Sequence, residues 1–319
     1  MLERADKAWL SRLLGPNVRY DEPMAKHTSF RIGGPADAFA QPESEDQLKA
    51  ILEWTQSKTI PYMLIGGGTN LLIRDGGIRG LVIHSGRMNA TIQWVRKRQR
   101  IAVSAGAGVP TRRICARALR HGWQGMNFAL GIPGTIGGAV LMNAGTAHGV
   151  MADVIESVTM MTGSGDRLEL TRQQLESAYR RLQLPDKVAG DPSAPPVLLS
   201  CTLALTLGNR EQIRRQARQW MRGRSQRQPA WQPSAGCFFK NPAQDIAAGR
   251  LIDEAGLKGF QVGGARVSPR HANFIVNCGG ASAEDVLTIK DKIQETVKSR
   301  FGIDLVPEVR IVGEEKTGS

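Results

Sequence analysis

The sequence predicts an α+β fold in two lobes, and three features of its 319 residues lead to that prediction. Apolar residues make up 41% of the chain and are spread along all of it, which favours a folded protein over a disordered one. Up to residue 207, strand and helix patterns alternate without a regular βαβ period, so α+β describes them best. After Gly208 the pattern changes to long helices, which predicts a second lobe.

Two helices of the first lobe have recognisable start or stop signals. The first, over residues 44–58, begins at Ser44, which is expected to form a capping box with Gln47. Its inward face is predicted to comprise Leu48, Ile51, Leu52 and Thr55. The second, over residues 111–121, is expected to end at Gly122. Its inward face is predicted to comprise Ile114, Cys115, Ala118 and Leu119.

Runs of β-type residues predict the strands of the first lobe. These runs cover residues 61–65, 80–84, 100–104, 154–161 and 197–207. The segment Leu71–Gly77 is expected to form a short strand and a turn, and residues 172–180 are expected to be helical.

The second lobe is expected to contain three helices and a closing strand. The helices cover residues 209–228, 247–255 and 282–300, and the strand lies around residues 308–312. The last helix should begin with a capping box of Ser282 and Asp285 and end before Gly302. Its apolar stripe is Val286, Ile289, Ile293 and Val297.

The chain has a formal net charge of +13, and its densest positive segment lies at residues 209–228, with seven arginines and one glutamate. The apolar stripe of this helix is predicted to comprise Ile213, Ala217, Trp220 and Met221. Three interpretations remain open: a solvated outer face, contact with an anionic ligand at the end of the helix, and nucleic-acid binding. The last is disfavoured because no stacking aromatics are interleaved with the arginines.

Other features of the sequence exclude several classes of protein. The first residues do not resemble a signal peptide, and the apolar segment 196–207 is too short and polar to span a membrane, so a cytoplasmic protein is expected. Cys115, Cys201, Cys237 and Cys278 are far apart and form no CxxC pair, which indicates neither a metal site nor a disulfide framework.

Two glycine-rich segments could hold phosphate groups. The first glycine loop, Gly66-Gly67-Gly68-Thr69-Asn70, follows a strand and offers backbone amides without side chains, but it could also be only a structural turn. The second glycine loop, residues 131–139, has four glycines and Pro133, and tight packing is its alternative interpretation. Two such loops in one lobe suggest a dinucleotide.

A third segment, Ser234–Pro242, combines a glycine turn with a thiol at Cys237, an ammonium group at Lys240 and a carboxamide at Asn241. These groups suit a polar, anionic substrate and a proton donor. Without further information, a buried inert cysteine remains the alternative.

Seven strings occur in an order that resembles the UDP-N-acetylenolpyruvoylglucosamine reductase (MurB) family in its shorter type II form, over about residues 20 to 313. They are His27–Gly34, Ile65–Leu72, Gly131–Ala139 with Met142–Gly145, Tyr179-Arg180, Ser234–Pro242, Ser268–Phe274 and Pro307–Gly313. The resemblance implies an FAD-binding domain of the vanillyl-alcohol-oxidase/PCMH type over residues 1–207, in two subdomains split near residues 85–100. It implies a substrate-binding domain over residues 208–319.

The resemblance also implies the reaction. Members of the family reduce UDP-N-acetyl-3-O-(1-carboxyvinyl)-glucosamine to UDP-N-acetylmuramate in peptidoglycan precursor synthesis. NADPH supplies a hydride to N5 of FAD, the hydride passes to the methylene carbon of the substrate, and the resulting enolate is protonated. A monomer that binds neither nucleic acid nor a membrane is expected.

The resemblance assigns roles to residues of this chain. Arg180 matches the active-site arginine, and Glu308 matches an acid that helps to polarise the substrate. Cys237 stands where most members have the proton-donating serine. Substrate contacts are expected from Tyr179, Lys240 and Asn241, and no metal ligand is expected. Cofactor contacts are expected from Gly66, Gly67, Gly68, Thr69, Asn70, Gly131, Pro133, Gly134, Thr135, Gly137 and Gly138.

This sequence departs from the family pattern at two further positions. Leu182 replaces a serine that usually follows the Tyr179-Arg180 string, and Thr69 replaces a commoner serine but keeps the hydroxyl group. Two rival functions are a PCMH-type oxidase of another small substrate and a non-enzymatic nucleic-acid-binding protein.

Overall fold

The computed structural model describes residues 2–88, 90–189, 194–229 and 232–316. Its helices are α1 (Arg4–Leu14), α2 (Glu45–Ser57), α3 (Thr111–His121), α4 (Ile136–Leu141), α5 (Asp186–Ala189), α6 (Arg210–Arg227), α7 (Ala248–Glu254) and α8 (Ala283–Phe301).

Most of its strands are short. They are β1 (Val18–Pro23), β2 (Pro35–Ala40), β3 (Tyr62–Ile65), β4 (Leu71–Ile73), β5 (Ile78–His84), β6 (Ile92–Lys97), β7 (Arg100–Gly106), β8 (Trp123–Gln124), β9 (Gly145–Thr146), β10 (Gly149–Val150), β11 (Ile155–Met161), β12 (Arg167–Thr171), β13 (Glu176–Ala178), β14 (Arg181–Gln183), β15 (Val197–Leu207), β16 (Gln261–Val262), β17 (Ala265–Val267), β18 (Ile275–Asn277) and β19 (Arg310–Val312).

The chain divides into two compact units. Unit 1 comprises Met1–Tyr20, Ala38–Gly67 and Gly80–Arg222, and unit 2 comprises Asp21–Asp37, Gly68–Arg79 and Gly223–Ser319. This division differs from a single boundary at residues 207 and 208, because two early segments and the last part of α6 belong to unit 2. The FAD-binding domain expected over residues 1–207 and the substrate-binding domain expected over residues 208–319 therefore stay predictions.

Unit 1 contains an antiparallel sheet in the order β12-β11-β15-β7-β6, with β8 also paired to β15. The sheet, α3, α4 and α6 enclose one hydrophobic core, which includes Val103, Ile114 and Leu203. A second core of unit 1 includes Leu10, Leu48 and Leu81. A four-stranded sheet has the order β1-β2-β5-β3.

The core of unit 2 is built around α8 and the small antiparallel sheet β16-β17-β18. Phe238 and Phe239 are each 1% exposed and belong to this core. Strand β19 pairs in parallel with β4, so the end of the chain is joined to the segment that follows the first glycine loop. This pairing explains why residues 68–79 belong to unit 2.

The capping signals of the sequence are confirmed at two helices and corrected at a third. Ser282 and Asp285 form both hydrogen bonds of a capping box, and Gly302 ends α8 in the left-handed region. Gly122 ends α3 in the same conformation. At α2, Ser44 accepts a hydrogen bond from the Gln47 amide, but the Gln47 side chain binds the amide of the residue before Ser44.

The inward faces are largely as expected. The predicted faces of α2 and α8 are buried, whereas Leu119 of α3 is only half-buried. In α6, Ile213 and Ala217 are buried and Trp220 stacks on His148 with a centroid separation of 3.9 Å. Met221 is 40% exposed, so its predicted place in the apolar stripe is wrong.

Among the described helices, none is both long enough and apolar enough to cross a membrane.

Candidate functional site

The two glycine loops lie side by side at Gly66 and Thr135. A Cβ atom on Gly66 would lie 2.5 Å from Oγ1 of Thr135, so only glycine allows this approach. Thr135 is the N-cap of α4, and its hydroxyl oxygen accepts a hydrogen bond from the Gly138 amide. The sequence indicated that both loops could hold phosphate groups, and the structure brings Gly66 of one and Thr135 of the other together within unit 1.

Hydrogen bonds join the second glycine loop to the first residue of α3 and to the segment just before α3. The amide of Gly137 donates to the Ala107 carbonyl at 2.9 Å, and the amide of Thr111 donates to the Gly134 carbonyl at 3.0 Å. Gly134 has a φ of 104°, a conformation that favours glycine. These bonds hold one side of the loop against the start of α3 and the segment before it.

The residues of the two loops fit a dinucleotide. Gly67, Gly131, Pro133 and Gly138 are exposed, while Thr135 and Gly137 beneath them are buried. Exposed backbone without side chains can approach phosphate oxygens and a flat ring closely, and it offers amide donors. FAD is a ligand of this kind. The arrangement supports the cofactor contacts that the sequence predicted, and these contacts stay predictions.

The first glycine loop continues into unit 2 after Gly67. Gly68 has a φ of 58°, and a Cβ atom there would lie 2.0 Å from the His27 carbonyl oxygen. Nδ2 of Asn70 donates to the Glu308 carbonyl at 3.0 Å. Residues 68–70 therefore connect the predicted cofactor loop to the predicted active-site acid.

Arg180 lies at a tight turn rather than in a helix. Residues 172–180 were predicted to be helical, but β13 and β14 form a hairpin in which Ala178 pairs with Arg181. Arg180 has a φ of 59°, which is uncommon for a residue other than glycine. A helix is excluded because this two-residue turn reverses the chain. Nη1 of Arg180 donates to the Gly145 carbonyl at 3.0 Å, and its guanidinium lies 5.1 Å from the Tyr179 ring centroid.

The hairpin is positioned by Asn143, a residue to which the sequence analysis gave no role. Asn143 is 4% exposed, its Nδ2 donates to the Ala178 carbonyl at 3.0 Å, and its Oδ1 accepts from the Ala152 amide at 3.0 Å. It lies just after α4, so one continuous segment links the second glycine loop to Arg180. Leu182, which departs from the family pattern, is 6% exposed and packs into the core of unit 1.

In unit 2, Cys237 follows a turn at Gly236, whose φ is 83°. The carbonyl of Ser234 accepts a hydrogen bond from the Ser29 hydroxyl at 2.7 Å, which fixes the start of the turn. Phe238 and Phe239 are buried after the turn, so they fix its other end. Cys237 itself is half-buried.

Backbone pairing brings Glu308 next to the segment of Cys237. The amide of Glu308 donates to the Phe238 carbonyl at 2.8 Å, and the amide of Lys240 donates to the Val306 carbonyl at 2.9 Å. Two residues that are 71 positions apart in the sequence therefore lie on adjacent, paired segments. Both side chains are half-buried, which suits groups that meet a ligand.

Asn273 holds the Cys237 segment from the other side. Its Oδ1 accepts from the Phe239 amide at 2.9 Å, its Nδ2 donates to the Phe239 carbonyl at 2.8 Å, and its own carbonyl accepts from the Phe238 amide at 2.7 Å. This role was not predicted from the sequence. The string Ser268–Phe274 contained the residue, but no local pattern indicated a partner 34 positions away.

Arg224 is a third residue to which the sequence assigned no role in the site. Burial lowers the pKa of its guanidinium, and the charge of the Cys237 thiolate opposes that shift. The two groups are therefore close enough to interact electrostatically within unit 2. The end of the arginine-rich helix α6 therefore lies near the predicted proton donor.

The cysteines of the described residues differ in their surroundings, and none forms a disulfide. Burial raises the pKa of Cys115 to about 12 and raises that of Cys201 as well. Thiols of this kind are inert. Cys278 is exposed and Cys237 is half-buried.

The three residues that were predicted to contact the substrate differ from one another in exposure. Tyr179 is 55% exposed in the hairpin turn, and Lys240 is half-buried. Asn241 is exposed, but its Oδ1 accepts a hydrogen bond from the Ala248 amide at 3.2 Å. Asn241 thus helps to begin α7. The substrate roles of all three residues stay predictions.

Comparison with known proteins identifies the family. The profile of the C-terminal domain of UDP-N-acetylenolpyruvoylglucosamine reductase matches residues 228–312, and that of an FAD-binding domain matches residues 36–171. The reductase of this name from Desulfosudis oleivorans is 44% identical over 314 residues, which cover 98% of this chain and 100% of that protein. This chain belongs to that family. The Geobacter metallireducens reductase is also 44% identical, over 92% of this chain and 94% of that protein.

A solved structure of the family is similar to this chain over nearly its whole length. The crystal structure of UDP-N-acetylenolpyruvylglucosamine reductase from Thermus caldophilus has a TM-score of 0.77 and 34% identity, and it covers 92% of this chain and 99% of that one. The predicted family, the α+β fold with an FAD-binding domain, the FAD cofactor and the class of flavin oxidoreductase are thereby confirmed.

Proposed function

We propose that this flavin-dependent reductase reduces the enolpyruvyl ether of UDP-N-acetylglucosamine to UDP-N-acetylmuramate, with NADPH as the reductant. The family is named for this reduction, which belongs to peptidoglycan precursor synthesis. Bound FAD supplies the hydride chemistry, since a two-electron carrier is needed between a nicotinamide and an alkene. Residues of this chain act in three steps, which are substrate binding, hydride addition and protonation.

Arg180 binds and orients the carboxylate of the enolpyruvyl group. When a hydride adds to the methylene carbon, negative charge spreads onto that carboxylate, and a fixed guanidinium stabilises it. The left-handed backbone at Arg180 and its bond to the Gly145 carbonyl hold the guanidinium in place before the substrate arrives. Glu308, as a protonated or hydrogen-bonded acid, helps to polarise the same group.

Cys237 donates the proton that completes the reduction. The double bond receives a hydride at its methylene carbon and the Sγ proton at the adjacent carbon, and the thiolate that remains takes a proton from solvent. A thiol is a stronger acid than the alcohol of a serine, so it is competent in this role. Arg224 stabilises the thiolate by its positive charge, in accord with their electrostatic interaction.

The observation that supports this proposal best is the pairing of the Glu308 and Cys237 segments in unit 2. The hydrogen bond from the Glu308 amide to the Phe238 carbonyl places an acid and a thiol on neighbouring segments, both half-buried. A structural cysteine in the core would be inert, as Cys201 is. Lys240, on the same segment, would meet an anionic part of a ligand.

The test uses the purified FAD-loaded enzyme. We expect flavin absorbance at ~450 nm to disappear on anaerobic addition of NADPH and to return when the enolpyruvyl substrate is added. The product should be UDP-N-acetylmuramate by mass spectrometry. A protein that takes up no flavin, or whose flavin is reduced by NADPH but not reoxidised by this substrate, would contradict the proposal.

A further inference from the structure

A basic groove lies between α3 and α6 of unit 1, outside the residues assigned above. It is an open concavity of about 490 Å³, and four arginines line it: Arg120 of α3, and Arg210, Arg214 and Arg218 of α6. Its apolar lining includes Leu119 and Ala217. We propose that this groove binds a condensed phosphate chain, carried by inorganic polyphosphate or by a nucleoside triphosphate.

The arrangement of the arginines supports an anionic ligand. Arg210, Arg214 and Arg218 are spaced by four residues, so their side chains lie in one column along about 12 Å of the helix. Like charges at this spacing destabilise a helix. A bound anion removes that repulsion.

Within the part of the chain that the structure describes, no carboxylate forms an ion pair with this column. None of the four lining arginine side chains forms a hydrogen bond or an ion pair with any residue in the described ranges. Residues 76–152 contain ten arginines and lysines but no aspartate or glutamate, so α3 supplies no acid. On α6 the single acid is Glu211, which does not line the groove. The four positive charges are therefore available to a ligand.

The size of the groove and the type of its cations select the class of anion. A volume of about 490 Å³ is in the range of small-molecule sites, and a concave site of this size favours a compact ligand over a nucleic-acid duplex. Guanidinium groups match phosphate oxygens two at a time. A chain of linked phosphates presents several such oxygen pairs in a row, as the column of three arginines requires.

The groove is separate from the cofactor loops. The second glycine loop contacts the first residue of α3, Thr111, through the Gly134 carbonyl. Arg120 lies nine residues further along the same helix, a rise of about 14 Å. Binding in the groove can thus be measured with FAD in place.

The experiment is calorimetric titration of inorganic triphosphate and of ATP into the FAD-loaded enzyme, for wild type and for the R214A/R218A variant. We expect binding in the wild type and at least about tenfold weaker binding in the variant. The control is Arg215→Ala, which removes one positive charge from an exposed position on α6 outside the groove and is compared with Arg120→Ala, a single change inside it. It should change affinity less than about twofold. Flavin absorbance and the unfolding temperature serve as checks that each variant is folded.

A second variant, Arg120→Ala, tests the groove from α3 and does not depend on the folding of a modified α6. It should also weaken triphosphate binding. If inorganic triphosphate and ATP bind with equal affinity, the site recognises the phosphate chain alone. If ATP binds more tightly and this binding depends on the arginines, the site recognises a nucleotide. Either result supports the proposal. Three results would overturn the proposal. The wild type could bind neither triphosphate nor ATP, or R215A could weaken binding as much as R214A/R218A. The third is that a DNA duplex binds through the same arginines and triphosphate does not displace it.

Discussion

The side-chain amide of Asn70 donates a hydrogen bond to the backbone carbonyl of Glu308 at 3.0 Å, although the two residues are 238 positions apart. The bond is reinforced by the Asn70 carbonyl, which accepts from the Arg310 amide at 3.1 Å, and by the parallel pairing of β4 with β19. The residue that ends the first glycine loop therefore fixes the backbone of the predicted active-site acid.

Asn70→Asp should slow turnover, because an aspartate of the same shape cannot donate to the Glu308 carbonyl and repels it. The loss of one such bond should lower the free energy of unfolding by about 1 kcal/mol. Asn127→Asp is the control, since Nδ2 of Asn127 donates to the Ile213 carbonyl at 3.1 Å and to Oε1 of Gln216 at 2.7 Å in unit 1. It should lose at least as much stability in urea unfolding but keep its turnover. Equal turnover in the two variants would show that the Asn70 bond has no effect on the acid.

Gly66→Ala should weaken FAD binding by about fivefold or more, because overpacking that costs about 1 to 3 kcal/mol separates the two glycine loops. The new Cβ atom would lie 2.5 Å from Oγ1 of Thr135. Flavin fluorescence on titration of the apoenzyme measures the affinity. Gly223→Ala is the control, because there a Cβ atom meets only the end of the Arg227 side chain at 3.6 Å. The double variant G66A/T135A, which removes the clashing Oγ1 atom, should recover part of the affinity for FAD. If G66A alone bound FAD as tightly as the wild type, the close contact of the two loops would be contradicted.

Cys237→Ala should leave reduction of the flavin by NADPH unchanged and slow turnover by about 10² or more, because only the second half of the reaction needs the proton donor. Cys237→Ser should keep measurable turnover, since it retains a donor at the same place. Stopped-flow absorbance separates the two half-reactions. Equal slowing of both by Cys237→Ala would show that the residue is structural.

Asn273→Ala should lower the free energy of unfolding by about 2 to 4 kcal/mol, because the amide and the carbonyl of the buried Phe239 both lose their partner. Turnover should also fall, since the Cys237 segment is then held by fewer bonds. Asn209→Ala is a control at an exposed helix cap, where Oδ1 accepts from the Gln212 amide. It should lose about 1 kcal/mol and leave turnover unchanged. If urea unfolding showed that Asn273→Ala loses no more free energy of unfolding than Asn209→Ala, the stabilising role of the Asn273 side chain would be contradicted.

The stability of the protein should depend on pH through His271. Burial lowers the pKa of His271, and the nearby charge of Lys258 lowers it further. Nδ1 of the neutral ring lies 3.2 Å from the amide nitrogen of Asn273 and accepts its hydrogen bond. Because the folded pKa is below the unfolded value, this contribution to stability is complete above about pH 6.5 and is lost as the pH falls through the folded value.

His271→Asn should remove that part of the pH dependence, because asparagine has an acceptor but does not titrate. Urea unfolding at pH 7 and pH 5 measures the free energy of unfolding of both proteins. The wild type should lose more stability than the variant between these two values. Equal losses would exclude His271 as a source of the pH dependence.

Much of the local structure could be predicted because its signals are local. Capping residues and a helical spacing of apolar residues placed α2, α3 and α8 within a few residues, and the glycine loops and the Cys237 segment were found as strings. The helix predicted over residues 172–180 was wrong, because the hairpin there depends on the bond from Asn143 to Ala178, which is contributed 35 positions earlier.

The sequence by itself determined the family, the cofactor and the identity of the groups that the chemistry needs, because those depend on residue types in a fixed order. Only the tertiary structure decided which of them meet: Gly66 with Thr135, Asn70 with Glu308, and Cys237 with Arg224. It also assigned α6 to two units, with Arg210, Arg214 and Arg218 lining a groove in unit 1 and Arg224 near Cys237 in unit 2. Contacts over tens to hundreds of positions follow from packing and backbone pairing, and no short pattern of residues encodes them.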